Sequence, residues 1–483
     1  MSPNASAARV LVASNRGPVS FRTEDDGTLS VHRGGGGLVS GLSAAGQGTG
    51  AVWVCAGLSE ADRTAARDAP SGRIDLAGHD TGDLAVRMLD IDPGTFARAY
   101  NAIANSTLWF IHHLLYDTAT KPVFDGRFRK EWASYATYNA AFAQALAEEA
   151  AEGAQVVVQD YHLTLTPVLL RRLRPDLRIG HFSHTPWAPP DYFRLLPDDI
   201  ARAVLEGILG ADRAGFLTRR WAGAFLDCCE QILGADVDRA AMTVTHNGHT
   251  TAIGVHGLGA DADFLRERAS RPDVEARLAG LREAVGDRKV IVRVDRTELS
   301  KNIVRGLLAY RDLLRERPEW HDRVVHIAFA YPSRHDLPEY REYTAAVQRV
   351  AQEITDEFGT DTWQPLILHV NDDFPRSLAA YRLADVALVN PIRDGMNLVA
   401  KEIPVVSEHG CALVLSREAG AHEELGADAI SVNPFDVSAT TEALHEALSM
   451  NTTERTERTK RLANAATALS PQQWFLDQLD GLR

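Results

Sequence analysis

Arg393, Asp394 and Gly395 follow the apolar run "DVALV" and lead straight into "MNLVAKE". A buried strand that empties into a cation, a carboxylate and a glycine, and then starts a helix, is suited to holding an anion. Gly395 permits tight backbone geometry. The N–H groups from Met396 through Asn397 and Leu398 to Val399 open the helix, where its dipole favours negative charge. Asp394 can accept from a sugar hydroxyl. Glu402, two turns on, carries a carboxylate that could reach ribose hydroxyls. A plain surface helix with a charged face leaves Arg393-Asp394-Gly395 unexplained.

Other cations fall in comparable places. Arg296 and Lys301 lie in "VDRTELSKN", just past a second apolar run. Arg offers a planar fork of donors and Lys a compact charge, a pair suited to a diphosphate. Each alone could be a solvated surface cation. Arg334 in "YPSRHD" and Arg16 in "SNRGP" also follow apolar runs, so four cations share the expected ligand side. "HRGGGGLVSGL" sets Gly34 to Gly37 before a helical pattern, as a phosphate loop would, although a flexible loop looks the same. "QDYHLTLTP" and "HFSHTPWAPPDYF" bring Asp160, His162, His181 and His184 to consecutive strand ends. Their spacing does not match common zinc motifs and no cysteine joins them. Hydrogen bonding to sugar hydroxyls, with Trp187 and Tyr192 as apolar neighbours, is the better reading. His112 and His113 read as helix packing.

The elements that must position these residues are short Val/Ile/Leu-rich strands alternating with helix-length segments such as "YNAAFAQALAEEAA". Strands apolar on both faces indicate parallel sheets covered by helices. "THNGHTTAIGV" differs, because Asn247-Gly248 between β-prone arms reads as a hairpin. The halves open alike, "VLVASNR" and "VIVRVDR", so each reads as a doubly wound α/β domain, joined near "GVHGLGADAD". Ligands bind beyond the carboxyl ends of such strands, which makes the cleft between two such domains the expected site. The 483 residues exceed one ordinary core. A net charge of -14 argues against a nucleic-acid or membrane-surface binder. Four cysteines without metal spacing, no signal-peptide pattern and no membrane-length apolar run fit a reduced, cytoplasmic chain.

"SNRGP", "GGGGLVSGL", "YNAIANSTLW", "QDYHL", "HTPWAPPDYFRLLP", "VDRTELSKN", "YPSR", "RDGMNLVAKE" and "SREAGAHEEL" occur in this order over almost the whole chain. Together they resemble the trehalose-6-phosphate synthases, retaining GT-B glycosyltransferases of family 20. The resemblance implies two Rossmann-like domains with the active site in the cleft between them. Residues 1–258 would bind the acceptor and 259–465 the nucleotide sugar, with 466–483 a helix returning to the first domain. Gly37, Arg296, Lys301 and the backbone from Gly395 to Val399 would hold the donor diphosphate. His184 and Asp394 would hold donor glucose, and Glu402 the ribose. Arg16, Tyr100, Trp109, Asp160 and Arg334 would hold glucose 6-phosphate. Arg296, Lys301, His184 and Asp394 form the expected catalytic set, with no metal or other cofactor, because protein cations stabilise the leaving group.

The base would lie near Phe374, beside Asn371, Asp372 and Asp373. Guanine presents two adjacent N–H donors suited to a carboxylate. The aspartates therefore predict GDP-glucose used at least as well as UDP-glucose, unless both are solvated loop charges. There are departures from the family pattern. Ala56 stands where a second tryptophan is usual, "TELSKN" replaces "LDYSKG", and Pro404 is expected to shorten the helix bearing Glu402. Absence of a phosphatase segment after residue 483 makes a fused bifunctional enzyme unexpected. Alternative readings are a pseudo-glycosyltransferase joining cyclitols, a sugar-nucleotide epimerase and a noncatalytic sugar-phosphate sensor. Association into a homo-oligomer is left open.

Overall fold

The computed structural model describes residues 7–33, 50–82, 84–334 and 337–483. Gly37 and the rest of the glycine run lie outside them. The chain divides into two compact units, Met1–Leu258 with Pro471–Arg483, and Gly259–Ser470.

The strands of the first unit are β1 (Ala8–Ala13), β2 (Val19–Thr23), β3 (Leu29–Arg33), β4 (Val52–Ala56), β5 (Ala85–Leu89), β6 (Ala150–Gln159), β7 (Arg178–Ser183), β8 (Arg213–Phe216), β9 (Asp236–Asp238), β10 (Thr243–His246) and β11 (His249–Val255). Its main sheet runs β5-β4-β1-β6-β7-β8-β11-β10-β9. Strands β5 to β8 in that order are parallel and follow the doubly wound sequence, reversing direction between β1 and β6. The sheet is buried because its strands are apolar on both faces: β4 has no exposed residue, and Val156, Val157 and Val158 of β6 are all buried. As the sequence predicts, β10 and β11 form a hairpin, with Asn247 and Gly248 both at positive φ. The helix Pro471–Asp480 closes this unit by setting Trp474 edge-on against Phe182, ring centroids 4.8 Å apart.

The second unit contains β12 (Lys289–Arg296), β13 (Val324–Tyr331), β14 (Leu366–His369), β15 (Val386–Val389), β16 (Ala412–Ser416) and β17 (Ile430–Val432). All are parallel, in the order β14-β13-β12-β15-β16-β17. Here the direction reverses between β12 and β15, so the residues leaving these two strands face the natural ligand crevice of the fold. Amphipathic helices such as Ile303–Glu316 cover the sheet, burying Leu307, Tyr310, Leu313 and Leu314. The helix Leu398–Val406 includes Pro404 and ends two residues beyond it. Among the described residues, no helix is long and apolar enough to cross a membrane.

Candidate active site

In the second unit, two strand-end loops are stitched together at the reversal point. Lys301 Nζ donates to Asp394 Oδ2 at 2.5 Å. Behind that contact, Ile392 N donates to Ser300 O at 2.9 Å, and Asn302 Nδ2 donates to Asn390 O at 2.9 Å and Pro434 O at 2.7 Å. Asn302 is in the left-handed region (φ 57°), a conformation that asparagine tolerates. Asn397 caps the following helix by accepting from Ala400 N at 3.1 Å, while its Nδ2 donates to Asp394 Oδ2 at 3.1 Å. The first-turn N–H groups of Leu398 and Val399 have no acceptor within the helix, as an anion-binding end requires. Gly420 supports the turn from behind: a Cβ there would meet Gly395 O at 1.9 Å.

Electrostatics keep this corner charged. Burial alone would lower the Lys301 ammonium, but Asp394, Asp295 and Glu298 outweigh it and hold it above its ordinary value. Arg293, fully buried within β12, donates to Asp295 Oδ2 at 2.7 Å and to Lys301 O at 3.0 Å. Burial raises the Asp295 carboxyl even so, with Arg293 and Lys301 opposing it. Arg296 is the open cation of the group, its side chain 56% exposed, with one guanidinium nitrogen 3.1 Å from the buried Glu298. Arg334, at φ 49°, donates to Tyr340 Oη at 2.9 Å and lies over that ring.

The base-side residues divide. Asp373 is the N-cap of the helix Phe374–Leu383, accepting from Arg376 N at 3.0 Å, and its Oδ2 is 3.0 Å from Arg277 Nε. It is therefore engaged in starting a helix and pairing with a cation, not held open for a base. Asp372 is exposed, and Phe374 is 41% exposed with the Arg268 guanidinium 6.0 Å from its ring. Glu402 is half-buried, 3.5 Å from Tyr381 Oη, and burial pushes its carboxyl up to about 7.

The first unit places its candidates at the matching strand ends. Arg16 is exposed just after β1, while Asn15 is buried and accepts from Tyr138 Oη at 2.6 Å. Trp53 Nε1 donates to Ser14 Oγ, which donates to Arg16 O, both at 2.7 Å. This tryptophan steadies the arginine's backbone from inside. Asp160 follows β6 at φ 72°, ψ 174°, a region that residues with a side chain avoid. It is held there by Asp160 N donating to Phe182 O at 2.7 Å and His184 N donating to Asp160 Oδ1 at 3.1 Å. Backbone strain of about 1–3 kcal/mol retained at a strand end is characteristic of ligand sites.

His184 Nε2 is 2.8 Å from Gln159 Oε1, so Nε2 carries the proton toward that carbonyl and Nδ1 is left as an acceptor. Burial, with a contribution from His181, pushes the imidazole down to about 3, so it is neutral at pH 7. Tyr100 stacks between Phe96 and His162, at 5.1 and 5.6 Å. Trp109 is buried against His113 and Tyr161, and His112 lies 4.4 Å from Trp187. Both histidines pack, as the sequence implies.

Two further expectations need correction. His181 is buried in β7 with Nε2 3.3 Å from Asp160 O, so it supports Asp160 from within the sheet. Trp187 is 1% exposed within an aromatic core with Phe193, Phe216 and Phe225. Sequence reasoning missed Arg293, Asp295, Glu298 and Asn302. Charged residues inside the apolar strand "KVIVRVDR" were the available signal for the first two.

Comparison with known proteins bears on the fold and the family. The family model for glycosyltransferase family 20 matches residues 8–483. Alpha,alpha-trehalose-phosphate synthase [UDP-forming] of Schizosaccharomyces pombe is 32% identical over 96% of this chain and 88% of its own. Trehalose-6-phosphate synthase of Mycobacterium avium is 33% identical over 98% and 94%. The bifunctional trehalose-6-phosphate synthase/phosphatase of Thermoproteus tenax is 36% identical over 78% of this chain, which spans about half (51%) of that longer protein. The E. coli structure with bound UDP-2-fluoro glucose superposes with a TM-score of 0.86 at 27% identity, covering 98% of this chain and 99% of the other. The fold is therefore GT-B, built from two Rossmann-like domains, and the protein is an enzyme. The chain belongs to glycosyltransferase family 20.

Proposed function

We propose that the protein moves glucose, with retention, from a nucleoside diphosphate glucose to the anomeric hydroxyl of glucose 6-phosphate, giving alpha,alpha-trehalose 6-phosphate and free nucleoside diphosphate. The observation that carries this reading is the Lys301–Asp394 contact beside an open helix start at the reversal point of the second sheet. Relatives over 88% and 94% of their length are named for the same product. A retaining glycosidase needs two carboxylates about 5–5.5 Å apart. Asp394 is instead tied to a lysine and an amide, the state of a carboxylate that positions a sugar and makes no covalent bond to it.

The chemistry is then a front-face exchange. The bond from C1 to the diphosphate oxygen breaks, the acceptor hydroxyl bonds to C1 on the same face, and its proton passes to the departing diphosphate. Arg296, Lys301 and the N–H groups of Leu398 and Val399 stabilise the charge that develops there. Arg16 and Arg334, with Tyr100, Trp109 and Asp160, take glucose 6-phosphate. Neutral His184 and Asp394 hold donor glucose, and Glu402 the ribose. Residues 1–258 supply the acceptor groups except Arg334, and 259–465 the donor groups except His184. The four cysteines are buried free thiols, in keeping with a reducing, cytoplasmic setting.

Incubating the protein with UDP-glucose or GDP-glucose, with and without glucose 6-phosphate, tests the reading. Diphosphate release that depends on glucose 6-phosphate and yields trehalose 6-phosphate is expected. Binding without release would instead make the protein a sensor. For the base, kcat/KM with GDP-glucose is expected to equal or exceed that with UDP-glucose. A site that bonds a substrate N–H discriminates against an analogue lacking it, and Asp372 is the carboxylate left open to do so. Asp372→Ala should then shift the preference toward UDP-glucose. A large UDP-glucose preference in the unaltered enzyme sinks the idea.

A further inference from the structure

Glu298 has no exposed surface, yet it sits in a loop between two cations, Arg296 and Lys301. Its Oε1 lies 3.1 Å from Arg296 NH2 and accepts from Ser333 Oγ at 3.1 Å. Ser333 belongs to the loop leaving β13, immediately before Arg334. One carboxylate can reach both loops because β12 and β13 run in register, with Arg296 opposite Tyr331. The main chain repeats the link, Thr297 N donating to Tyr331 O at 2.6 Å, and within the β12 loop Lys301 N donates to Glu298 O at 3.0 Å.

A buried charge is retained only when paired and hydrogen-bonded. The partners here are unequal in a telling way. Arg296 is more than half exposed, so a surface ion pair alone would hold it weakly. The buried carboxylate adds a fixed partner for one guanidinium nitrogen of a side chain that is otherwise 56% exposed. On the other side, the Ser333 contact fixes the residue next to Arg334, whose backbone is already confined to φ 49°.

We propose that Glu298 is a positioning residue that sets the Arg296 guanidinium and the Arg334 loop together, so that one carboxylate aligns the donor-diphosphate and acceptor-phosphate groups of the second unit. This rests on the function proposed above. Glu298 touches neither substrate. Its contribution is to the geometry of the two arginines that do.

The two arms can be cut separately in the full chain. Glu298→Gln keeps the shape and an acceptor for Ser333 but removes the charge facing Arg296. Calorimetric titration with UDP and GDP should show the diphosphate bound about tenfold more weakly, with glucose 6-phosphate affected far less. Ser333→Ala should do the reverse, weakening glucose 6-phosphate about three- to tenfold while leaving the diphosphate within about twofold. A role in folding alone would lower the melting temperature and leave both affinities alone. If either variant binds its own ligand as the unaltered protein does, the proposal is overturned. An unaltered protein that binds no glucose 6-phosphate overturns the functional reading instead, which keeps the two failures apart.

Discussion

Replacing Lys301 with alanine is expected to lower turnover by about 10²–10³-fold, the usual consequence of removing one donor from a site that stabilises developing negative charge. The size of the effect follows from where the ammonium is held. It is largely buried, 2.5 Å from Asp394, and three carboxylates keep it protonated against the pull of burial. Its backbone is fixed by Arg293 from one side and by the Ser300–Ile392 hydrogen bond from the other. A cation so constrained needs little reorganisation when the diphosphate leaves. Alanine also deprives Asp394 of a partner, so thermal melts must accompany the kinetics. Lys301→Arg is the control, because it restores charge with a different geometry and should recover only part of the rate. Turnover by Lys301→Ala within about threefold of the unaltered enzyme, at saturating substrates, would remove this corner from the chemistry.

The second large effect falls on the acceptor. Arg334→Ala should raise the KM for glucose 6-phosphate roughly 10- to 150-fold, the equivalent of a charge-assisted hydrogen bond worth about 1.5–3 kcal/mol. The KM for the nucleotide sugar should change little. The conformation at this position makes the comparison clean. At φ 49° the arginine already bears the strain that a side chain meets in the left-handed region, and alanine inherits it. A change in KM therefore reports the lost guanidinium and not a relaxed loop. Discrimination between glucose 6-phosphate and glucose should shrink in parallel, since only the former presents a phosphate. An unchanged acceptor KM would place the phosphate elsewhere.

Much of the frame was legible because strands that are apolar on both faces announce a parallel sheet. "VLVASNR" and "VIVRVDR" each contain the end of a central strand: β1 stops at Ala13, shortly before Arg16, and β12 ends on Arg296 itself. The Asn247-Gly248 hairpin followed from turn chemistry alone. Side-chain assignments were harder where one residue type serves two purposes. Asp373 reads equally well as a ligand group and as a helix cap. Pro375 at the second helical position was the signal that favoured the cap. Trp187 lies in a proline-rich segment that looks like a binding loop, and only the fold brings Phe216 and Phe225 around it. Glu298 was invisible for a different reason. Its partner Ser333 is 35 residues away, and nothing local says that two loops will share one carboxylate.

Asp160 shows where this chain retains backbone strain. A glycine there would adopt φ 72°, ψ 174° without the backbone strain of about 1–3 kcal/mol, but would give up the Oδ1 that accepts from His184 N. Were Asp160 to bind the acceptor as proposed, backbone relief and substrate binding would pull in opposite directions at this position. Asp160→Gly should weaken glucose 6-phosphate binding while moving the denaturation midpoint little, because relief of the backbone strain is offset by loss of the acceptor for His184 N. A variant that keeps its acceptor affinity would show the aspartate to be an accident of descent. An engineer seeking a relaxed backbone and one seeking tight acceptor binding would choose different amino acids here.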